Sequence, residues 1–171
     1  MHALITGAAG FIGSNLCLRL RAAGWRVTGL DNLSHGFRRN LAPLRRDRGF
    51  ELVVGDCRDK GLVRRLTRRA DTVVHLAAYK IPRYGGRREM LEVNIDAAWT
   101  MMRACATAGS GHFVLASTSD IYGRNPAIPF TESSLSVLGP SRVARWAYAV
   151  SKICDEHLAW GFMEEGKLQP V

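Results

Sequence analysis

"HALITGAAGFIG", residues 2–13, changes character halfway along. Its first five residues are a short apolar run bounded by glycine, as expected of a buried strand. Glycines then recur at Gly7, Gly10 and Gly13. Residues 11–24 place apolar side chains at Phe11, Ile12, Leu16, Leu20 and Ala23, close to helical spacing, and stop at Gly24. In a strand, glycine turn and helix of this kind, backbone amides at the helix start favour a pyrophosphate. A missing Cβ lets the phosphates come close, and Gly13 lets the helix pack tightly on the sheet. The spacing is GxxGxxG, a relative of GxGxxG. A glycine turn can also be purely structural, so the rest of the chain has to decide.

The rest of the chain repeats the alternation. Strands are expected at 25–30, 50–55, 71–78 and 112–118, and helices at 60–70, 88–109 and 142–166. Residues 32–49 read as a loop with one short helix, and 119–141 as a loop with three prolines. The strands are near-continuous apolar runs, which suits a parallel sheet covered on both faces. Strands alternating with helices imply right-handed crossovers and an open α/β doubly wound parallel sheet. The closing LQPV resembles the opening of a sixth strand.

Composition narrows the class. The 171 residues are 47% apolar, enough for one domain with a real core and against disorder. No run approaches a membrane span and no signal peptide is visible at MHALITG, so a soluble cytoplasmic protein is expected. Four scattered cysteines and five scattered histidines argue against a zinc ribbon, a disulfide framework or any metal site. The net charge of +9 is concentrated in arginine clusters at 38–48, 64–69 and 87–88. These clusters lack interleaved aromatics for base stacking. Solvated faces are the expected reading, with a nucleic-acid surface as the alternative.

Several side chains suit a dinucleotide. Asp31 follows the second strand, where a carboxylate accepts both ribose hydroxyls of adenosine and repels a 2′-phosphate, favouring NAD over NADP. Arg38 and Arg39 follow closely and weaken that preference. A plain turn residue is the other reading of Asp31. Asp56 is placed to meet an adenine amino group, whereas Asp59 is expected to cap the next helix. Tyr148 and Lys152, four apart, share one helical face. An ammonium beside the phenol lowers its pKa from about 10 towards neutrality and makes it a general base for a sugar hydroxyl. Alone, the pair is equally an amphipathic helix with an interfacial tyrosine. Thr118 ends the fifth strand, on the rim where such sheets bind ligands, and can relay the proton passing to Tyr148. Simple capping of the strand end is its alternative.

Taken together, "TGAAGFIG", "LDNLS", "GDCRD", "HLAAYK", "VNIDAAW", "LASTSDIYG" and "YAVSK" resemble the extended short-chain dehydrogenase/reductase family, its NAD-dependent sugar-nucleotide epimerases and dehydratases. The resemblance implies that Gly7, Gly10, Phe11, Ile12 and Gly13 hold the pyrophosphate and that Asp31, Asn32 and Ser34 hold the adenosine ribose region. It implies that Asp56 and Cys57 flank adenine, and that Leu76, Ala77, Ala78 and Lys80 line the nicotinamide side. Asn94 matches the asparagine of the family's long helix and is counted with the cofactor residues. Thr118, Tyr148 and Lys152 match the catalytic triad, and the last two also contact the cofactor.

The implied activity is 4-epimerisation of a nucleoside-diphosphate sugar, a UDP-hexose above others, through a transient 4-keto sugar. Ser119-Asp120 stands where 4,6-dehydratases carry Asp-Glu and disfavours dehydration; decarboxylation of UDP-glucuronate stays open. Ala97-Ala98 replaces the family's usual Gly-Thr after Asn94. The resemblance covers only the NAD-binding part of a family chain, so a truncated member, residues 1–171, is expected. A non-catalytic NAD-binding fragment or an interaction module is the alternative from another class. A homodimer is implied, with Ala97, Met101, Met102, Trp146, Ile153 and Leu158 as candidate contacts and internal packing as the alternative.

Overall fold

In the computed structural model, which describes residues 1–80 and 86–169, the alternation becomes a five-stranded sheet of order β3-β2-β1-β4-β5, parallel throughout. The strands are β1 (His2–Thr6), β2 (Arg26–Asp31), β3 (Phe50–Val54), β4 (Thr72–His75) and β5 (His112–Leu115). The helices are α1 (Phe11–Ala22), α2 (Lys60–Thr67), α3 (Arg87–Ala108) and α4 (Trp146–Glu164), with 3-10 turns at Arg38–Leu44 and Ser119–Tyr122. The doubly wound arrangement expected from the sequence is therefore present.

Alternate strand residues supply two cores, as a pleat of period two requires. Leu4, Leu30, Val73 and Phe113 face α2 and α3, with Ala159 of α4 joining them. Ile5, Val27 and Val74 face α1 and the first 3-10 turn, where Cys17, Leu41 and Leu44 are buried. Both faces of the sheet are thus covered, which is why the strands read as unbroken apolar runs.

Element ends differ from expectation where side chains replace backbone partners. β4 stops at His75, not at residue 78, because the Thr6 hydroxyl accepts from the Leu76 and Ala77 amides just beyond it. α4 starts at Trp146 rather than at 142; Pro140 precedes a pair of turns, and the Arg87 guanidinium donates to the carbonyls of Ser141 and Arg142. Asp59 caps α2 as expected, accepting from Gly61 and Leu62. Past α4, Leu168 is buried and the Gln169 carbonyl accepts from Phe113 of β5 at 3.1 Å, so the chain does begin to line the outer edge of the sheet. The remainder of LQPV lies outside the described residues.

Two surface expectations meet the structure. Arg38, Arg39, Arg45, Arg46, Arg64, Arg65, Arg68 and Arg69 are all exposed, which suits solvated faces and a nucleic-acid surface alike. Of the candidate dimer contacts, Ala97, Met101, Met102 and Trp146 are buried within the chain itself. The sheet and α4 claim them first, and the exposed apolar side chains of α3 and α4 are Trp99, Val150, Trp160 and Met163 instead. No helix among the described residues is long and apolar enough to cross a membrane.

Candidate functional site

Strand order reverses its winding between β1 and β4, and at such a switch point the carboxyl ends of the strands leave a crevice. The glycine turn after β1 meets the segment after β4 there. Gly7 has φ +66°, and a Cβ on it would lie 3.0 Å from the Ala77 amide nitrogen. A Cβ on Gly13 would lie 2.1 Å from the Gly7 carbonyl oxygen, so α1 approaches the turn as closely as it does only because residue 13 has no side chain. Gly10 is the N-cap of α1 and offers no side-chain oxygen to the first helical turn. The early amides of α1, at Phe11, Ile12 and Gly13, are thereby left for an anion. The side chains of Phe11 and Ile12 stand 83% and 65% exposed, so the chemistry they can offer is that of their backbone N–H groups.

Thr6, fully buried at the end of β1, ties the crevice together. Its hydroxyl oxygen accepts from the Leu76 and Ala77 amides, both at 3.1 Å. With both lone pairs taken, its proton goes to His75 Nδ1 at 2.7 Å. Neutral His75 then carries its own proton on Nε2, which is buried without a partner among the described residues. Burial, followed by the nearby Lys152 ammonium, pushes the imidazole pKa down to about 3.

A cleft of about 160 Å³ results, and ten of the sequence-selected residues line it: Gly7, Gly10, Asp31, Asn32, Ser34, Asp56, Cys57, Leu76, Ala77 and Ala78. His35, Gly36, Tyr79 and Val93 also line it and were missed by sequence reasoning, as was Ala97, which was considered only as a dimer contact. Tyr79 lay inside the quoted "HLAAYK"; its flat ring next to two alanines was the available signal. Lys80 is exposed and lies outside the lining.

Several polar candidates already have protein partners. The Asp31 carboxylate accepts from the amides of Ala9 and Leu33, each at 2.8 Å. Gly36 lies over it so closely that a Cβ there would sit 2.8 Å from Oδ2. Asp31 is thus both the brace of the glycine turn and a wall of the cleft, with lone pairs remaining. The Asn32 side-chain oxygen accepts from the amide and hydroxyl of Ser34. Asp56 is gripped by Arg58 through two guanidinium bonds of 3.0 and 2.7 Å, which hold its carboxyl below the usual range. Its carboxylate thus holds Arg58 while keeping its place in the cleft lining, where the adenine contact was expected. Burial raises the Cys57 thiol to about 12, so it serves as an apolar wall.

The expected chemical pair lies on α4. Tyr148 is buried against Met90 and Ala147, with Tyr79 and Leu91 packed on the same cluster. Tyr79 also lines the cleft, so one side chain belongs both to the cleft wall and to the cluster that buries Tyr148. Asn94 donates to the Tyr79 carbonyl and to the Ser151 hydroxyl, and accepts from the Tyr79 amide at 2.8 Å. Ser151 in turn donates to the Tyr148 carbonyl. Asn94 therefore ties the Tyr79 segment to α4, one residue from Lys152, and its amide is used up in doing so. Thr118 Oγ1 accepts from the Asp120 amide at 3.3 Å, a capping bond, while Ser117 donates to Glu156 and docks the β5 end on α4.

One expectation fails here. The phenol of Tyr148 is not lowered; burial raises it, and the carboxylates of Asp120 and Asp155 push the same way. Burial is the largest cause, and the Lys152 ammonium, bonded to Asp155 3.2 Å away, does not offset it.

Comparison with known proteins settles the lineage. Residues 3–171 match the family described as NAD dependent epimerase/dehydratase. The chain belongs to that family. Its cofactor is NAD, in keeping with the glycine turn and Asp31. Among family relatives, the probable UDP-glucuronate 4-epimerase of Rhizobium meliloti is 34% identical over 78% of this chain and 42% of its own length. The UDP-N-acetyl-alpha-D-glucosaminuronate decarboxylase of Bacillus cytotoxicus is 33% identical over 95% of this chain and 50% of its own. The crystal structure of DesIV, a dTDP-glucose 4,6-dehydratase from Streptomyces venezuelae with NAD and TYD bound, superposes with a TM-score of 0.87 at 34% identity. The match covers 99% of this chain and 54% of that one. The chain thus spans about half the length of the relatives it matches, and those relatives carry out three different reactions.

Proposed function

We propose that residues 1–171 are the NAD-binding domain of a nucleoside-diphosphate-sugar 4-epimerase that acts on a UDP-hexose through a transient 4-keto sugar. The observation that carries this reading is the double placement of Tyr79, in the wall of the cleft and on the cluster that buries Tyr148. It supports an ionisable hydroxyl close to the crevice built by the glycine turn.

The residues present fit the cofactor. Positions 7, 10 and 36 have no Cβ where the cleft needs room, and the start of α1 offers uncapped amides for a pyrophosphate. Gly7, Gly10 and the amides of Phe11, Ile12 and Gly13 would hold the phosphates; Asp31, Asn32 and Ser34 would hold the ribose; Cys57, Leu76, Ala77 and Ala78 would form the apolar walls. NAD, when bound, would supply the reversible hydride acceptance at the sugar C4. Tyr148 would take the C4 hydroxyl proton at its Oη and give it back, and Thr118 would hold the hydroxyl in place. Lys152 would stabilise the phenolate. Asn94 positions the segment carrying Tyr79 against α4. The bare first turn of α1, with no acidic residue, keeps the field there positive. We also expect a homodimer through the outer faces of α3 and α4, where Trp99 and Trp160 are 43% and 57% exposed.

The test is incubation of the protein and NAD with UDP-glucose, UDP-glucuronate and dTDP-glucose, with products separated by chromatography. The 4-epimer of a UDP-sugar is expected, and Tyr148→Phe should retain NAD while losing at least about two orders of magnitude in turnover. Loss of carbon dioxide or of water would assign the chain to decarboxylation or dehydration instead. Cofactor binding without turnover would leave a non-catalytic NAD-binding domain.

A further inference from the structure

Lys152 and Asp155 form an ion pair of 3.2 Å with the lysine 3% and the aspartate 0% exposed. Two charges taken out of water lose several kcal/mol of hydration each, and their attraction offsets this only with good geometry and satisfied partners. Here the satisfaction is incomplete. The second carboxylate oxygen of Asp155, Oδ1, is buried with no hydrogen-bond partner among the described residues. The one described bond of this carboxylate is the ammonium of Lys152. Lys152 itself lies one turn after Tyr148 and one turn before Asp155, and its described hydrogen bond runs to the Asp155 side.

We propose that Asp155 is a positioning residue that draws the Lys152 ammonium to itself and so keeps the Tyr148 phenol protonated in the cofactor-free protein. The idea rests on the reading of Tyr148 as the acid–base group. An ammonium stabilises a nearby phenolate only while its charge is uncompensated. A carboxylate beside it makes the pair nearly neutral, and the burial of the phenol then dominates.

Other charged and titratable groups near Tyr148 do not replace this effect. Asp120, from the turn after β5, raises the phenol more than Asp155 does by charge alone, but it is exposed, lies 3.9 Å from the Arg145 guanidinium and has no described bond to the Lys152 ammonium. Glu156, beside Asp155, takes the Ser117 hydroxyl. His75 of β4 is neutral and bonded to Thr6, and Tyr79 contributes a ring. Asp155 is the one group whose removal subtracts a negative charge and frees the ammonium at once. Burial raises its own carboxyl despite the lysine, so the pair is strained towards neutrality.

The experiment follows the ionisation of Tyr148 in cofactor-free protein by tyrosinate absorbance, with Tyr148→Phe identifying its share among the four tyrosines. Asp155→Asn preserves shape and removes the charge. Its Tyr148 midpoint is expected to fall by about one pH unit, and that of the control Asp120→Asn by less. An unchanged or higher midpoint in folded Asp155→Asn overturns the proposal. Should that variant not fold, Asp155→Ser replaces it: a lower Tyr148 midpoint than in the wild-type protein supports the proposal, and an unchanged or higher one overturns it. Neither readout involves turnover. A failure of the epimerase reading would show separately, as undiminished sugar conversion by Tyr148→Phe.

Discussion

The two sides of the crevice treat their polar groups in opposite ways. On the β1–β2–β3 side, each polar group has a protein partner: both oxygens of Asp31 receive amides, Asn32 closes on Ser34, and Asp56 is clamped by Arg58. On the β4–α4 side lie the two buried side-chain atoms without partners among the described residues, His75 Nε2 and Asp155 Oδ1, with the Lys152 ammonium beside them. A surface that only has to hold a ligand is stiffened by satisfying every group. A place where a proton must move keeps charges close, dry and incompletely paired, because that is how ionisation is shifted.

The comparison breaks most readily at Gly13. Gly13→Val would drive a side chain into the Gly7 carbonyl, and a loss of about 3 kcal/mol in urea denaturation is expected, together with loss of NAD binding. A folded variant of unchanged affinity would mean that the turn is softer than its geometry implies.

Thr6→Val tests the joint between the sides. The Leu76 and Ala77 amides and His75 Nδ1 all lose their partner, for an expected destabilisation of about 2 kcal/mol. A change within about 0.5 kcal/mol would show that water replaces the hydroxyl freely.

The smallest effect is in pH dependence. His75 is depressed on folding, so its stabilisation is complete above the unfolded value of 6.5 and is lost as pH falls towards about 3. Asp155 is raised, so its contribution is complete below the unfolded value of 3.8 and is lost as pH rises through about 6. The two slopes oppose each other between these limits. In the first pH unit below 6.5 histidine dominates, and His75→Gln should remove an acid-side loss of about 1 kcal/mol. Identical pH profiles for variant and wild type would contradict the neutral, buried imidazole.

Much of this was legible before any coordinates. The glycine turn, the parallel sheet, the Asp59 cap and the lining residues Gly7, Gly10, Asp31 and Asp56 follow from spacing and apolar periodicity, which are local properties of the chain; Asn32, Ser34, Cys57, Leu76, Ala77 and Ala78 came from the family resemblance. The Asp155 pairing was also within reach, as an acid three residues after a lysine on a helix. Its significance was not, since nothing in the spacing says that both side chains are dry. The dimer candidates Met101 and Met102 erred for the same reason: an apolar side chain on a helix does not announce which neighbour will cover it.

The amino-acid sequence alone determined the order of strands and helices and the phosphate-binding turn, because backbone geometry and side-chain period are written within a few residues of one another; the family showed in the resemblance of its motifs. Tertiary structure alone decided which partner each buried polar group takes. Thr6 and His75 meet across 69 residues, and Lys152 turns to Asp155 in an interior that no local stretch describes. The strength of a charge depends on how much water surrounds it, and that is known only once the whole chain has closed around it.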